Sequence, residues 1–411
     1  MTRFTSAISI GLILALASVA EAKTVSIDFT GASPVSQGLT QVNNAQTKDG
    51  ATAIAQRGGK NVAMTGNSDT NRYLYLAIDP AFKTGLKSVW LTVTYFEEGK
   101  DAFQVQYDGQ DDAHQAANEP AMRSKFDTKE FTHQTWHITG WKLAGGEEGG
   151  ADLRIDDMMD RLELIATVTV SDEDPDFVHF PYAVNKITID GKMDPAEGWD
   201  KAYTVKLDRA QYDENNGAKW GGPTDFSGTY SFQWDESALY LLGQVVDATP
   251  RLNDQNGGTY NDQYGNGQYW AGDGMEQAIG LDDSNPEITD GMVVGTDFKV
   301  MISLADPPKW AIADRGVLND GNPPIDLGEI KDNIAIVNTD NPKGYVFELR
   351  IPWNIYNNLK VTAGQRIRWT MYANNGKELP SDQDVSMSPT GRDNLNKNIA
   401  AWQRAMLDPK P

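Results

Sequence analysis

A chain of 411 residues with no cysteine excludes disulfides, thiolate metal sites, a cysteine nucleophile and a lipidated N-terminal cysteine. Its cohesion must come from apolar cores, and it is long enough for two or three of them. A formal net charge of −22 repels nucleic acid and anionic membranes, and a uronate-rich or sulfated polymer would need a locally basic groove.

The first residues have the pattern of an export signal. Arg3 gives the positive start, Ile8 to Val19 an apolar run too short to span a bilayer, and Ala20-Glu21-Ala22 a small-x-small cleavage site. The expectation is that residues 1–22 are removed and that the mature protein, beginning at Lys23, is periplasmic or secreted. No later stretch is long and apolar enough to insert in a membrane, and a soluble monomer is expected.

Beyond Lys23, hydrophobicity alternates. In Ser88 to Glu97, the residues Val89, Leu91, Val93 and Tyr95 share one face, while Thr92 and Thr94 take the other. Tyr73 to Ile78, Phe103 to Tyr107 and Leu162 to Val170 repeat the period, with Gly, Asn, Asp and Pro between them. This describes an all-β protein of antiparallel sandwiches. Residues 23–171 form a first, jelly-roll-like sandwich. The acidic, proline-bearing stretch from Ser171 to Tyr182 breaks the pattern, so residues 172–181 are expected to be a linker and residues 182–411 a second sandwich in tandem. Phe177, Phe180 and Tyr182 leave an alternative, an ordered bridge. Helical periodicity is weak except in Asn394 to Met406.

Several phrases of the first half resemble a jelly-roll module of bacterial proteins acting on polysaccharides. They are Arg72-Tyr73-Leu74-Tyr75-Leu76, Thr92-Val93-Thr94-Tyr95-Phe96, Val105-Gln106-Tyr107-Asp108, Trp136-His137 and Ala151-Asp152-Leu153-Arg154-Ile155. The resemblance implies a glycan-associated sandwich and names no ligand. His133 and His137 have an H-x3-H spacing that suits a metal on a helix, but their segment alternates like a strand, so ordinary strand histidines are expected. Of Trp136 and Trp141, at least one should fill the core.

The second half carries more specific phrases. Ile187-Thr188-Ile189-Asp190-Gly191-Lys192-Met193-Asp194 with Trp199-Asp200 opens it. Phe232-Gln233-Trp234-Asp235, Ala238-Leu239-Tyr240-Leu241 and Val245-Val246-Asp247 follow, then Tyr269-Trp270-Ala271-Gly272-Asp273-Gly274-Met275-Glu276 and Tyr345 to Trp353 (YVFELRIPW). In order and spacing these resemble family 9 carbohydrate-binding modules, of the wider DOMON-like superfamily. The resemblance implies a sandwich of two antiparallel sheets and a sugar-stacking tryptophan at Trp270, beside Tyr269. By order Trp402 matches a second platform, and Asn374 and Asn375 sit where polar sugar contacts often fall. Trp310 is a further aromatic candidate. Core packing is the alternative for every one of these rings, and Trp199, Trp234, Trp353 and Trp369 are expected to be structural.

The resemblance also implies structural calcium. Asp190, Asp194, Asp247 and Asp273 are hard oxygen donors at turn positions, although aspartate also favours turns for conformational reasons. The expected function is recognition of a poly- or oligosaccharide through aromatic platforms, in support of polysaccharide degradation or uptake. The alternative is a glycan-active enzyme, a glycoside hydrolase or polysaccharide lyase. Its acids show no paired spacing, and Tyr107, His137 and Arg154, which a lyase would use, are not joined by any motif. Haem is disfavoured because no histidine follows His179.

Overall fold

The computed structural model describes residues 23–42, 47, 49–66, 72–117, 122–158, 162–213, 219–255, 269–281, 297–314, 324–356, 360–389 and 402–411. The expected export signal, and most of the loop preceding Trp270, lie outside these residues. Nearly all regular structure among them is antiparallel strand, with one α-helical turn at Pro80–Lys83 capped by the Asp79 carboxylate and a few short 3-10 turns.

Two sheets make the first sandwich. One runs in the order Phe131–Thr139, Ser88–Phe96, Leu164–Ser171, Thr24–Asp28, Val35–Gln37, with the hairpin of Ala53–Arg57 and Lys60–Met64 beside it. The other runs Arg123–Ser124, Ala102–Tyr107, Leu153–Asp156, Tyr73–Ile78, Leu39–Gln41, with Gln115–Ala116 alongside. Period-two alternation sends Val89, Leu91, Val93 and Tyr95 inward to meet Leu74, Leu76, Phe103 and Val105 from the facing sheet. Trp136 is fully buried there, and Trp141 packs at the edge. His133 and His137 do lie on a strand, opposite Thr94 and Trp90.

The stretch after Ser171 carries a strand. Val178–Phe180 joins a sheet of the second sandwich, parallel to Gln403–Leu407. Phe180 is fully buried and meets the rings of Phe232, Tyr203 and Trp369. Burying such a ring contributes about 1.5–3 kcal/mol, enough to hold down an otherwise acidic segment.

The second sandwich faces a five-stranded sheet (Tyr203–Leu207, Phe226–Trp234, Ala238–Asp247, Lys343–Pro352, Ile334–Asp340) against an eight-stranded one. The larger sheet runs Val178–Phe180, Gln403–Leu407, Arg366–Asn375, Gly274–Gly280, Asp297–Ser303, Lys309–Asp314, Ile325–Glu329, with Val385–Met387 on Arg366–Asn375. Ala238–Asp247 is apolar on both faces for a reason. Leu239, Leu241 and Val245 enter the main core, while Ala238, Tyr240 and Leu242 are covered outside by Ala183, Ile187 and Trp199. Trp199, Trp234, Trp353 and Trp369 are all buried, as expected of structural residues.

Asp297–Ser303 is buried at every position, its outer side chains covered as well as its inner ones. One local expectation is corrected. Of the stretch read as helical, Gln403–Leu407 is a strand that pairs with Arg366–Asn375; the residues before Trp402 lie outside those described.

The halves meet across the outer face of the first sandwich's larger sheet. The Arg404 guanidinium lies 5.1 Å over the Trp90 ring, which stacks on His137 at 4.3 Å. Arg209 pairs with Glu130 at 3.0 Å, and His133 with Asp176 at 3.4 Å. The outer face of the six-stranded sheet points the other way.

Candidate functional site

Strand Gly274–Gly280 runs through the middle of the eight-stranded sheet, between Arg366–Asn375 and Asp297–Ser303. Met275 and Ile279 face the core, so Gly274, Glu276, Ala278 and Gly280 face outward. Register sets Glu276 between Met301 and Tyr372, Ala278 between Lys299 and Thr370, and Gly274 between Ser303 and Asn374. The small residues around Glu276 leave room for the long side chains of the flanking strands to close over the middle of the sheet.

Glu276 is held on both sides. One carboxylate oxygen pairs with Lys299 Nζ, and the other accepts from Asn374 Nδ2 at 3.0 Å. Asn374 Oδ1 in turn accepts from Gln383 Nε2 and Ser386 Oγ, each at 2.9 Å. Asn374 Nδ2 also reaches the Trp270 carbonyl at 3.3 Å. Trp270 is half-buried and packs on Met301, Tyr269 and Ala311, beside that row. Gly274 permits this approach, since a Cβ there would stand 2.9 Å from the Tyr269 carbonyl and 2.5 Å from that of Ile302. A buried Glu–Lys pair is costly to desolvate unless its remaining hydrogen-bonding capacity is used. Asn374, Gln383 and Ser386 supply that, and fix the pair in place.

The face therefore offers the half-buried Trp270 ring, seated beside a carboxylate–ammonium–amide network in which Glu276 is 2 %, Lys299 4 % and Asn374 0 % exposed. An aromatic platform of this kind matches the apolar side of a sugar ring. Glu276 is committed to a lysine, which is not the pair of opposed carboxyls that glycoside hydrolysis uses.

The sequence-expected residues divide. Trp270 stands on this face, and Asn374, 0 % exposed, lies buried beside it with its amide on Glu276 and the Trp270 carbonyl. Tyr269, 1 % exposed, is packed beneath it, and burial together with the Asp326 carboxylate pushes its phenol above the ordinary range. Trp310, 7 % exposed, belongs to the core cluster and presents no ring to solvent, because alternation on Lys309–Asp314 turns it inward opposite Ile302. Trp402, at 3 %, is likewise too buried to act as a platform as it stands. Glu276, Lys299 and Gln383 were missed. Glu276 closes the W-x-G-D-x-x-E phrase and was legible as an outward acid on an otherwise apolar strand, whereas Lys299 needed the pairing register to be placed.

Asn375, one residue on, points to the opposite side and joins Asp247 and Asp273. Its Nδ2 donates to Asp247 Oδ1 at 3.1 Å and Asp273 Oδ1 at 3.3 Å. The Thr249 N–H reaches Asp247 at 2.7 Å, and the Leu252 and Gly376 N–H groups reach Asp273 at 2.6 and 2.8 Å. Both carboxyls are fully buried, and burial pushes both upward, Asp273 further because Asp247 stands beside it. Asp247 Oδ2 and Asn375 Oδ1 are buried without a hydrogen-bond partner. Two abutting carboxyls and two unused oxygens are a donor set that suits a hard divalent cation.

The four aspartates expected to act together do not converge. Asp190 and Asp194 sit at exposed turns near Trp199, where Asp190 pairs with Lys192 and Asp194 caps Pro195–Glu197. Their conformational role accounts for them. Among the described residues no three acids or histidines gather in a metal-like group.

The second sandwich thus carries Trp270 on the outer side of its larger sheet and a pair of buried acids at the strand ends behind it. Residues 189–408 match the family described as carbohydrate family 9 binding domain-like. The chain belongs to that family, and is in that half a carbohydrate-binding protein. Among solved structures, a family 9 carbohydrate-binding module from Caldicellulosiruptor kristjanssonii in complex with cellotriose is 16% identical, aligned over 57% of this chain and 94% of that one, with a TM-score of 0.36. The module from that organism in complex with glucose gives 14% identity, 57% and 96% coverage and a TM-score of 0.36. A putative carbohydrate-binding protein from Bacteroides uniformis ATCC 8492 gives 10%, 56% and 97%, and 0.37. No curated protein matches the chain.

Proposed function

We propose that this is an exported, non-catalytic saccharide-binding protein that takes a sugar ring against Trp270, with the buried Glu276–Lys299–Asn374 network holding that platform in place. The observation that carries this reading is the half-buried Trp270 ring on the outward sheet face, packed on Met301, Tyr269 and Ala311 with its carbonyl held by Asn374. The export pattern before Lys23 supports a role where polysaccharides are broken down or taken up. The Asp247–Asp273–Asn375 set lies at the strand ends behind the face and would hold a calcium ion, which would neutralise the two carboxyls there.

Isothermal titration with neutral oligosaccharides, including cellotriose, tests the reading. Glu276→Gln, which keeps an acceptor while uncoupling Lys299, should weaken binding by about tenfold or more. Reducing ends and unsaturated products are followed in the same samples. Turnover that survives repurification, and is lost on a single carboxylate substitution, would replace this reading with an enzyme.

A further inference from the structure

The first sandwich has a polar outer face that the reading above does not use. On Tyr73–Ile78, Ala102–Tyr107 and Leu153–Asp156, alternation sends Leu74, Val105 and Ile155 into the core and turns six others to the outer side, where Tyr75, Arg154 and Asp156 are themselves buried while Tyr73, Gln104 and Gln106 are half-buried. Register arranges these six as two rows across three strands. Arg154 lies between Tyr75 and Gln106, and Asp156 lies between Tyr73 and Gln104.

Each row is pinned. Arg154 Nε donates to Gln106 Oε1 at 2.6 Å, one terminal nitrogen donates to the Tyr75 hydroxyl at 3.2 Å, and the guanidinium lies 4.1 Å over the half-buried Tyr73 ring. Asp156 accepts from Gln104 Nε2 at 2.9 Å and from Arg72 at 3.1 Å. Beside the first row, Glu147 takes His114 Nδ1 on one oxygen at 2.7 Å, with Arg154 at 3.5 Å from the same oxygen. Its other oxygen is buried and has no partner, and neither has Thr47 Oγ1, which stands with the Tyr75 ring against Gly50. Leaving buried oxygens unmatched is costly, because each has given up its water. A hydroxyl or a water brought there would remove that cost.

We infer that this face is a second saccharide-binding groove, specific for a neutral, hydroxyl-rich chain. The occupant follows from charge. Asp49, Asp156, Asp157 and Glu147 outweigh Arg72 and Arg154, and both guanidiniums are already held by carboxylates or amides. An anionic polymer is repelled. A protein partner would want an apolar centre, which these rows lack. Sugar hydroxyls bring uncharged donors to the surplus acceptors and acceptors to the amide N–H groups, and the side of Tyr73 offers an apolar surface to a ring. The opposite outer face of this sandwich is occupied by the second half, through Arg404 on Trp90. The inference rests on the saccharide reading for its choice of ligand and not for its site.

The test is affinity electrophoresis and titration of the full chain with neutral gluco-, xylo- and manno-oligosaccharides and with polygalacturonate. The variants are Trp270→Ala, Gln104→Ala/Gln106→Ala and Arg154→Lys. The expected result is that Trp270→Ala leaves residual binding to a neutral glycan. That residue should weaken about tenfold or more when the glutamine pair is removed in the same chain, with melting unchanged. Arg154→Lys keeps the charge but loses the fork, and should weaken it similarly. If Trp270→Ala abolishes all binding and the glutamine and arginine variants bind as the parent does, this groove is refuted while the first site stands. If binding depends on the glutamines and not on Trp270, the first site fails and this one stands. Preference for polygalacturonate would overturn the neutral-ligand assignment.

Discussion

Glu197 and Glu348 share one indole: Trp199 Nε1 donates to Glu197 Oε2 at 3.1 Å and to Glu348 Oε1 at 3.2 Å. Around them the N–H groups of Thr188, Asp190 and Gly191 point at the carboxyls, so two acids are enclosed by donors without a cation among those contacts. Burial and the neighbouring Glu197 raise Glu348 from 4.5 to about 7, against the pull of the two N–H groups.

Stability should therefore fall as pH rises. The folded chain holds the Glu348 proton to about pH 7 while the unfolded chain releases it near 4.5, so the stabilisation is complete below 4.5 and is lost through about 7. The span corresponds to a ceiling of roughly 3 kcal/mol. Glu348→Gln keeps an acceptor for Asp190 and Gly191 and gives Glu197 a donor. Urea titrations at pH 5, 6, 7 and 8 should show a flatter slope in that variant, with a remainder of the same sign from Asp247 and Asp273. An unchanged slope would show that Glu348 titrates normally.

Trp270 and Trp310 should separate binding from folding. Trp270→Ala removes a half-exposed ring and should weaken saccharide binding by about 2 kcal/mol or more, roughly thirty-fold, with little change in melting. Trp310→Ala hollows the main core and should cost about 3–5 kcal/mol of stability. Calorimetry on both variants checks this. A large stability loss at Trp270 with unaltered affinity would move the site elsewhere.

Calcium should raise the melting temperature of the second half, and a chelator should lower it. Asp247→Asn and Asp273→Asn should each abolish the calcium increment while keeping much of the hydrogen bonding. Scanning calorimetry with calcium and with EGTA at pH 7 reads this directly. Identical traces in both buffers would leave the pair holding a proton between its carboxyls instead of a metal.

Phe180 should belong energetically to the second sandwich. Phe180→Ala removes a ring enclosed by Phe232, Tyr203 and Trp369, and should cost about 3–5 kcal/mol in the transition of that half. A variant melting like the parent would mean that the segment is only a tether.

The sequence alone determined the strand content, both sandwiches and the family of the second, because period two and turn residues are local properties. It also assigned Trp199, Trp234, Trp353 and Trp369 to structure, and all four are buried. Only the tertiary structure decided which of the remaining aromatics are core, because a tryptophan in a strand reads alike inward or outward until its partner strands are known. That is how Trp310 and Trp402 went inside. It also decided the company each acid keeps. Asp247 and Asp273 meet where the end of a strand in the five-stranded sheet faces the start of one in the eight-stranded sheet, while Asp190 and Asp194 stay at turns. Glu276 and Lys299 come together across a register that no local pattern encodes.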